Sequence, residues 1–219
     1  MAAEFLVQRL HPRLLLGYTL RAADGRRARL YCRQGEFDGA CGLNCAAMML
    51  ALLDYLPEPT LISTAKKGAA AKLWQLAKPT FFDGINEYGL AELLGKLDLD
   101  LSVKPFSGTH AKTTAFVLKN IDRGGLVITG WRTADKKAEH WVLAVGTEGP
   151  QIGKSYRPQV LLVLDASLPE PTLCGYNGRL HLAGMPPAKD RRFVQYVTND
   201  GCEFPVTLTS AVAIRRSAS

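Results

Sequence analysis

The sequence lacks the features that mark a disulfide-stapled or a membrane-spanning protein. Its five cysteines are too few and too irregular for a disulfide scaffold, so we expect a reducing compartment. The stretch Cys45–Leu53 is apolar throughout but only nine residues long, whereas a helix needs about 20 apolar residues to span a bilayer. The N-terminus shows no secretory signal. We therefore expect synthesis in the cytoplasm, and leave open export or injection by a route that needs no cleaved signal.

Long runs of like charge are also missing. The net charge is +7, from 27 basic and 20 acidic residues, but the positive charges are spread along the chain as pairs. These pairs are Arg26–Arg27, Lys66–Lys67, Lys136–Lys137, Arg191–Arg192 and Arg215–Arg216. A nucleic-acid interface needs basic residues concentrated on one face. We therefore expect neither a nucleic acid nor a membrane as a partner.

What remains is the composition of a soluble globular domain, with 47% hydrophobic and 21% charged residues. We expect a single domain over 1–219, with its core at about 30–168, an N-terminal hairpin at 1–30 and a C-terminal extension at 169–219. The hairpin is predicted from apolar runs at Leu14–Leu20 and Ala28–Cys32 with a turn at Ala23–Gly25.

From Cys41 onward, helical patterns come mostly before strand patterns along the chain. The helical patterns are the buried run after Cys41, then Thr64–Ala77, Glu87–Leu97 with Asn86 as its N-cap, and Thr113–Arg123. The strand patterns are Leu99–Val103, Leu126–Trp131, Glu139–Gly146, Gln159–Asp165, Phe193–Thr198 and Phe204–Leu208. Segregation of helices from antiparallel strands predicts an α+β fold.

The most informative stretch is Gln34–Tyr55, a glycine-bearing loop that leads into an apolar helix with Cys41 at the junction. The first turn of a helix has unpaired N–H groups and the positive end of the helix dipole, and both stabilise a thiolate, the nucleophilic form of cysteine. Gln34 lies seven positions upstream, and its side-chain amide could donate to an oxyanion together with the Cys41 N–H. Cys41 is therefore a candidate nucleophile.

A nucleophile of this kind needs a base and a group that orients the base. His140 opens one strand pattern and Asp165 ends the next. If these strands are adjacent, Asp165 can accept a hydrogen bond from the imidazole and set its tautomer. The predicted site, in chain order, is Gln34, Cys41, His140 and Asp165.

Several of these segments resemble those of the papain-like cysteine peptidases, and they are most similar to the bacterial double-glycine (bacteriocin-leader) branch. They are Gln34 to Gly42 with Cys45–Met48, Gly124–Ile128, His140–Gly146 and Val163–Asp165, so the resemblance covers about 30–168. It implies a helical lobe whose central helix carries Cys41, packed on an antiparallel sheet that carries His140 and Asp165. It also implies Cys41 as nucleophile, His140 as base, Asp165 as orienting residue and Gln34 as oxyanion donor.

The function predicted on this basis is a thiol protease, a hydrolase of a protein or peptide amide bond that needs no cofactor. The same site could instead deamidate glutamine or transfer an acyl group to an amine, and a non-catalytic protein-binding module on a peptidase fold is a further alternative. Cys41 and Cys45 have ligand-like spacing, but structural zinc normally needs two such pairs, so we expect no metal. A stand-alone peptidase of bacterial type is consistent with an effector or toxin, which we hold as a hypothesis.

Overall fold

The computed structural model describes residues 3–23, 28–35, 38–182 and 193–217. Asp24 and Gly25, the centre of the predicted hairpin turn, lie outside these ranges. The helices are α1 (Cys41–Leu52), α2 (Gly68–Ala77), α3 (Glu87–Gly95) and α4 (His110–Asp122), with short 3-10 helices at Pro59–Thr64 and Lys78–Thr80. The strands are β1 (Glu4–Leu10), β2 (Leu14–Leu15), β3 (Arg21–Ala22), β4 (Leu101–Ser107), β5 (Leu126–Thr133), β6 (Glu139–Ile152), β7 (Ser155–Tyr156), β8 (Val160–Leu164), β9 (Gly178–His181), β10 (Val194–Thr198) and β11 (Glu203–Arg216).

Six of these strands form a closed antiparallel barrel. The order around the barrel is β6, β5, β11, β10, β9 and β8, and β8 pairs again with β6 to close the ring. β1 and β7 extend the sheet from β6, and β4 extends it from β11. The prediction of a papain-like α+β fold, with a helical lobe packed on an antiparallel sheet, is therefore wrong, because a closed barrel dominates the molecule.

The barrel also explains why the strand patterns are apolar at almost every position. One set of side chains fills the barrel interior, including Val127, Val142 and Val163. The alternating set, including Ile128, Leu143 and Leu164, packs outside the barrel against the helices. Successive side chains of a strand point to opposite faces, and here both faces are buried. Two separate hydrophobic cores result, and α4 contributes Val117 to the inner one.

Helix α1 lies in the outer core, against β5 and β6, and all twelve of its residues are buried. The prediction of a helix buried on every side, beginning at Cys41, is confirmed. The helix ends at Leu52, ahead of Pro57, where the chain turns through Asp54 in the left-handed region at φ 67°. None of the helices in the described ranges is long and apolar enough to cross a membrane.

Of the other local predictions, one is confirmed and others differ from the structure. The cap at Asn86 is confirmed, because its side chain accepts a hydrogen bond from the N–H of Gly89 at the start of α3. Helix α2 begins at Gly68 instead of Thr64, because Thr64 ends a 3-10 helix and Ala65 is extended. The predicted hairpin between the two N-terminal apolar runs differs from the observed pairing, in which Leu14–Leu15 pairs with Arg21–Ala22. The described contact with the second run is one bridge between Arg21 and Arg29, beside a bond from the Leu30 N–H to the Leu20 carbonyl. β1 was not predicted, since an edge strand with mostly exposed side chains lacks a buried face.

Candidate active site

Cys41 is among the residues that line an open groove of about 520 Å³. One wall of the groove is formed by residues 82–86, the loop before α3, and by Glu87, the first residue of that helix. The opposite wall comes from β5, β6 and β11, with Trp131, His140 and Ser210 among its residues. The groove therefore gives a ligand access to the first residue of α1.

Close backbone approach holds Cys41 in this position. The N–H of Gly39 donates to the carbonyl of Phe81 over 2.9 Å, and a Cβ on Gly39 would lie 2.5 Å from the carbonyl oxygen of Phe82. A Cβ on Gly42 would lie 2.8 Å from Cγ2 of Ile85. Both positions therefore need glycine for the loop and the helix start to meet.

Trp141 joins the two walls of the groove. Its indole Nε1–H donates to the carbonyl of Ile85 over 2.8 Å, and its ring packs on the space left by Gly42. Its backbone carbonyl lies 3.4 Å from Sγ of Cys45, one turn into α1. Trp141 thus fixes β6, the loop before α3 and the start of α1 relative to one another.

The structure brings His140 and Asp165 together. His140 is the second residue of β6, and Asp165 directly follows β8, which pairs antiparallel with β6 in the register Leu143–Leu164. Nε2 of His140 lies 2.7 Å from Oδ1 of Asp165. His140 and Cys41 line the same groove and shift each other's pKa, and since Nε2 is committed to Asp165, Nδ1 is the ring nitrogen left for the sulfur. The sulfur itself makes one long contact, to the carbonyl of Gly39 at 3.9 Å. Cys41, His140 and Asp165 thus form one continuous chain of contacts.

The Asp165 carboxylate is 1% exposed and is surrounded by donors. Oδ1 accepts from the N–H of Ser167 at 2.9 Å and from its hydroxyl at 2.6 Å, in addition to His140. Oδ2 accepts from the Tyr196 hydroxyl at 2.6 Å. A buried carboxylate is costly unless its oxygens are hydrogen-bonded, and these donors satisfy it.

The backbone of Asp165 is held as firmly as its side chain. The Asn177 side chain accepts from the Asp165 N–H at 2.7 Å and donates to the Asp165 carbonyl at 2.9 Å. The Tyr31 hydroxyl donates to the same carbonyl. Each of these three residues is almost fully buried. These bonds therefore hold the backbone of Asp165 in place before any ligand binds.

The electrostatics of the three groups favour a charge-separated pair. Burial opposes ionisation of Cys41, but the hydrogen bond with His140 and the N–H groups of Trp141 and Gly42 outweigh it and lower the pKa of the thiol. Burial also opposes protonation of His140, but hydrogen bonds with Asp165 and Cys41 raise its pKa to about 10. The pKa of Asp165 is lowered despite burial, chiefly by His140. These shifts favour a thiolate on Cys41 beside an imidazolium on His140.

The remaining cysteines have different surroundings. Burial raises the pKa of Cys45 well above its ordinary value, and burial raises that of Cys32 to about 11. Cys32 contacts the side-chain oxygen of Asn44 at 3.0 Å, inside the outer core. Cys174 is half-buried and Cys202 is exposed. Of the described thiols, Cys41 alone combines a lowered pKa with a place on the groove.

Gln34 is placed differently from the other three predicted residues. Its Nε2 donates to the carbonyl of Asp38 over 2.7 Å, and its buried Oε1 has no partner among the described residues. It is not among the residues that line the groove. The Nε2 group supports the loop that leads to Cys41, and the oxyanion role of Gln34 stays a prediction.

Four residues that bind Asp165 were missed in the sequence, namely Tyr31, Ser167, Asn177 and Tyr196. Ser167 follows the aspartate by two positions, a spacing at which hydroxyl and backbone N–H commonly cap a carboxylate, so this signal was available. Asn177 and Tyr196 lie 12 and 31 positions beyond Asp165, and only the pairing of β8, β9 and β10 brings them close. No local pattern marks them.

Residues 38–182, 193–217 and the other described ranges contain no cluster of three or more His, Cys, Asp or Glu side chains arranged to hold a metal ion. No protein-family model matches the chain, and no curated protein matches its sequence. A proposal for its function depends on the chemistry of the groove and on the residues that surround it.

Proposed function

We propose that the protein is a cysteine-dependent hydrolase that cleaves a peptide or protein amide bond through a thioester on Cys41. The observation that carries the proposal is the buried chain from Cys41 through His140 to Asp165, with the sulfur at a helix start and beside an open groove. A lowered thiol pKa, a protonated imidazole and a buried, fully hydrogen-bonded carboxylate are the parts that nucleophilic amide cleavage needs. The resemblance of the same residues to cysteine peptidases supports the proposal independently of the fold.

In the first step the Cys41 thiolate attacks the carbonyl carbon of the substrate, and the carbonyl π electrons move to oxygen. N–H groups in the first turn of α1 have no acceptor within the helix and stabilise the oxyanion. His140 gives the proton on the nitrogen facing Cys41 to the leaving amine, and the C–N bond breaks. The products are a thioester and a free amine.

In the second step His140, now neutral, removes a proton from water as the water attacks the thioester carbonyl. The C–S bond breaks, the carboxylic acid leaves, and the thiolate–imidazolium pair is restored. Asp165 holds the ring orientation throughout, through its 2.7 Å contact with Nε2. Trp131, whose ring centroid lies 5.3 Å from that of His140, prevents the imidazole from rotating away.

The charge of the groove guides the choice of substrates for testing. Asp83, Glu87 and Glu139 line it, and none of its lining residues within the described ranges is a lysine or arginine. Glu139 is paired with Arg132 at 3.5 Å. The assay therefore includes peptides rich in lysine and arginine alongside neutral and acidic ones of equal length.

The test is incubation of the purified protein with such a peptide library, followed by mass spectrometry. We expect cleavage by the wild type, and a loss of at least about 10³-fold in Cys41→Ser. Cys45→Ser is the matched control, since it makes the same substitution one turn further along α1, where serine can also donate to the Trp141 carbonyl. It should retain cleavage.

Other outcomes would replace the proposal. Conversion of glutamine to glutamate, or attachment of an added amine, would identify the same site as a deamidase or an acyltransferase. Binding of peptides without any Cys41-dependent change would identify a non-catalytic binding module. Cleavage that survives Cys41→Ser would place the chemistry elsewhere.

A further inference from the structure

We propose that Tyr196 is a positioning residue of this site, whose hydroxyl sets the orientation and the charge of Asp165 and thereby maintains the His140–Cys41 pair. The inference rests on the proposed function. It concerns a residue of β10, three strands from β6 in the barrel, which is not itself among the residues that line the groove beside Cys41.

The hydroxyl of Tyr196 is aimed at one oxygen of the carboxylate. It donates to Oδ2 of Asp165 over 2.6 Å, whereas His140 and Ser167 both bind Oδ1. The two oxygens therefore have distinct partners, and the plane of the carboxylate is determined by both. Tyr196 is 1% exposed, so the bond is shielded from bulk solvent.

A glycine on the neighbouring strand leaves space for the Tyr196 side chain. β9 pairs with β10, and a Cβ on Gly178 of β9 would lie 2.5 Å from the Tyr196 hydroxyl oxygen and 2.7 Å from its ring. Any residue larger than glycine at position 178 would displace the hydroxyl from Asp165. The space for the donor is thus provided by the neighbouring strand.

The ring of Tyr196 also supports the site, through aromatic packing on Trp131. It packs on Trp131 with ring centroids 5.4 Å apart, and Trp131 packs in turn on His140 at 5.3 Å. Phe204 lies against both Tyr196 and Trp131. The hydroxyl holds the acceptor of the imidazole while the ring supports the wall behind the imidazole.

Loss of the hydroxyl has a defined electrostatic consequence. Oδ2 would be left buried without its described donor, so the anionic form of Asp165 would be less stable and the carboxyl would bind a proton at a higher pH. A neutral Asp165 no longer favours the imidazolium, and the thiolate is lost with it. The titratable groups that face Asp165 are His140 of β6, Tyr196 of β10, Tyr31 of the segment before α1 and Cys45 of α1, while Glu139, Asp200 and Cys202 line the cleft beside it.

The experiment compares Tyr196→Phe with Tyr31→Phe in the full chain. Both substitutions remove one buried hydroxyl that bonds Asp165, but the Tyr31 hydroxyl donates to the backbone carbonyls of Asp165 and Leu168 and not to the carboxylate. The readout is the rate of Cys41 alkylation by iodoacetamide between pH 4 and 9, located by peptide mapping. Thermal unfolding of each variant shows the structural cost separately.

We expect the acid limb of the alkylation profile to move upward by on the order of one pH unit in Tyr196→Phe and to stay in place in Tyr31→Phe. An unchanged limb in Tyr196→Phe, or equal shifts in both variants, would overturn the inference. If Tyr196→Phe does not fold, 3-fluorotyrosine at position 196 is used instead, because it keeps the ring and provides a stronger hydrogen-bond donor. The acid limb of the alkylation profile should then move to lower pH. An unchanged acid limb in that protein would also overturn the inference.

The failure of this inference is distinguishable from the failure of the proposed function. Alkylation needs no substrate, so a wild-type Cys41 that labels selectively at low pH, with an unshifted Tyr196→Phe, refutes only the role of Tyr196. A wild-type Cys41 that labels no faster than the other thiols refutes the proposed function itself.

Discussion

Nε2 of His140 lies 2.7 Å from Oδ1 of Asp165, and the same imidazole lines the groove beside Cys41. This relationship commits one ring nitrogen to the carboxylate and leaves the other for the sulfur. An imidazole held between a carboxylate and a thiol is stabilised in its protonated form by both, which in turn stabilises the thiolate. The predictions below follow from that arrangement and from the packing that maintains it.

Cys41 should be alkylated selectively by iodoacetamide at pH 6. An ordinary thiol with a pKa of about 8.5 is under about 1% thiolate at that pH, whereas the pKa of Cys41 is lowered by His140 despite burial. We expect labelling of Cys41 at least about tenfold faster than that of any other cysteine, measured by intact mass and peptide mapping.

The matched variant for this prediction is His140→Ala, which removes the partner of the thiolate and should slow labelling at pH 6 by at least about tenfold. Cys202 serves as an internal control, because it is exposed and reports the rate of an accessible thiol outside the site. Equal labelling of Cys41 and Cys202 would contradict the thiolate–imidazolium pair.

The rates of amide cleavage and of Cys41 alkylation should respond differently to high pH. The pKa of His140 is raised to about 10, so the imidazolium persists below that pH and is lost as pH rises through it. Amide cleavage should therefore fall above about pH 10, since no proton remains for the leaving amine, while alkylation of the thiolate continues. The measurement is the pH profile of peptide cleavage beside that of Cys41 alkylation, over the range in which the circular dichroism of the protein is unchanged. If both rates decline at the same pH, His140 is not the proton donor.

Gly42→Ala should weaken activity through the wall of the groove. The new Cβ would lie 2.8 Å from Ile85 and 3.3 Å from Trp141, and overpacking of this kind costs about 1–3 kcal/mol. Displacement of these residues from the start of α1 should reduce kcat/KM on the order of 10- to 100-fold. Gly95→Ala is the control, because Gly95 is also helical but a Cβ there meets nothing within 4 Å.

The control should be neutral or stabilising by up to about 1 kcal/mol, because alanine favours the helix over glycine. Urea unfolding and peptide cleavage are measured for both variants. A Gly42→Ala protein with wild-type kcat/KM would show that the contact of Ile85 and Trp141 with α1 does not control the site.

Asn177→Ala should be strongly destabilising. The side chain is buried and bonds the backbone of Asp165 in both directions, as well as the Tyr31 hydroxyl at 3.0 Å and the Pro169 carbonyl at 3.0 Å. Removal leaves several buried groups without partners, so we expect a loss of about 2–4 kcal/mol in the free energy of unfolding.

Asn199→Ala is the comparison for that substitution, because Asn199 is exposed and its side chain makes one hydrogen bond, to the Tyr176 carbonyl at 3.0 Å. It should change the free energy of unfolding by less than about 1 kcal/mol. Both values come from urea denaturation followed by tryptophan fluorescence. Similar losses in the two variants would mean that the Asp165 network contributes little to stability.

Local patterns in the sequence were sufficient for the elements nearest the nucleophile. The apolar run after Cys41 predicted a helix buried on all sides, and α1 has that form; Asn86 predicted a helix cap, and its side chain makes the expected bond. The adjacency of His140 and Asp165 was predicted from two consecutive apolar strand patterns, and the strands do pair. These features depend on residues within a few positions of one another or on neighbouring strands.

The sequence by itself thus indicated that Cys41 begins a buried helix and that His140 and Asp165 lie on paired strands, because helix starts and consecutive antiparallel strands are decided by short-range chemistry. Only the tertiary structure decided that the sheet closes into a barrel and that Asn177 and Tyr196 hold Asp165. Closure depends on the pairing of β6 with β8 and on β9, β10 and β11, which come from the segment expected to be an extension. Strands buried on both faces carry the same apolar pattern in a barrel as in an open sheet, so no local signal distinguishes them.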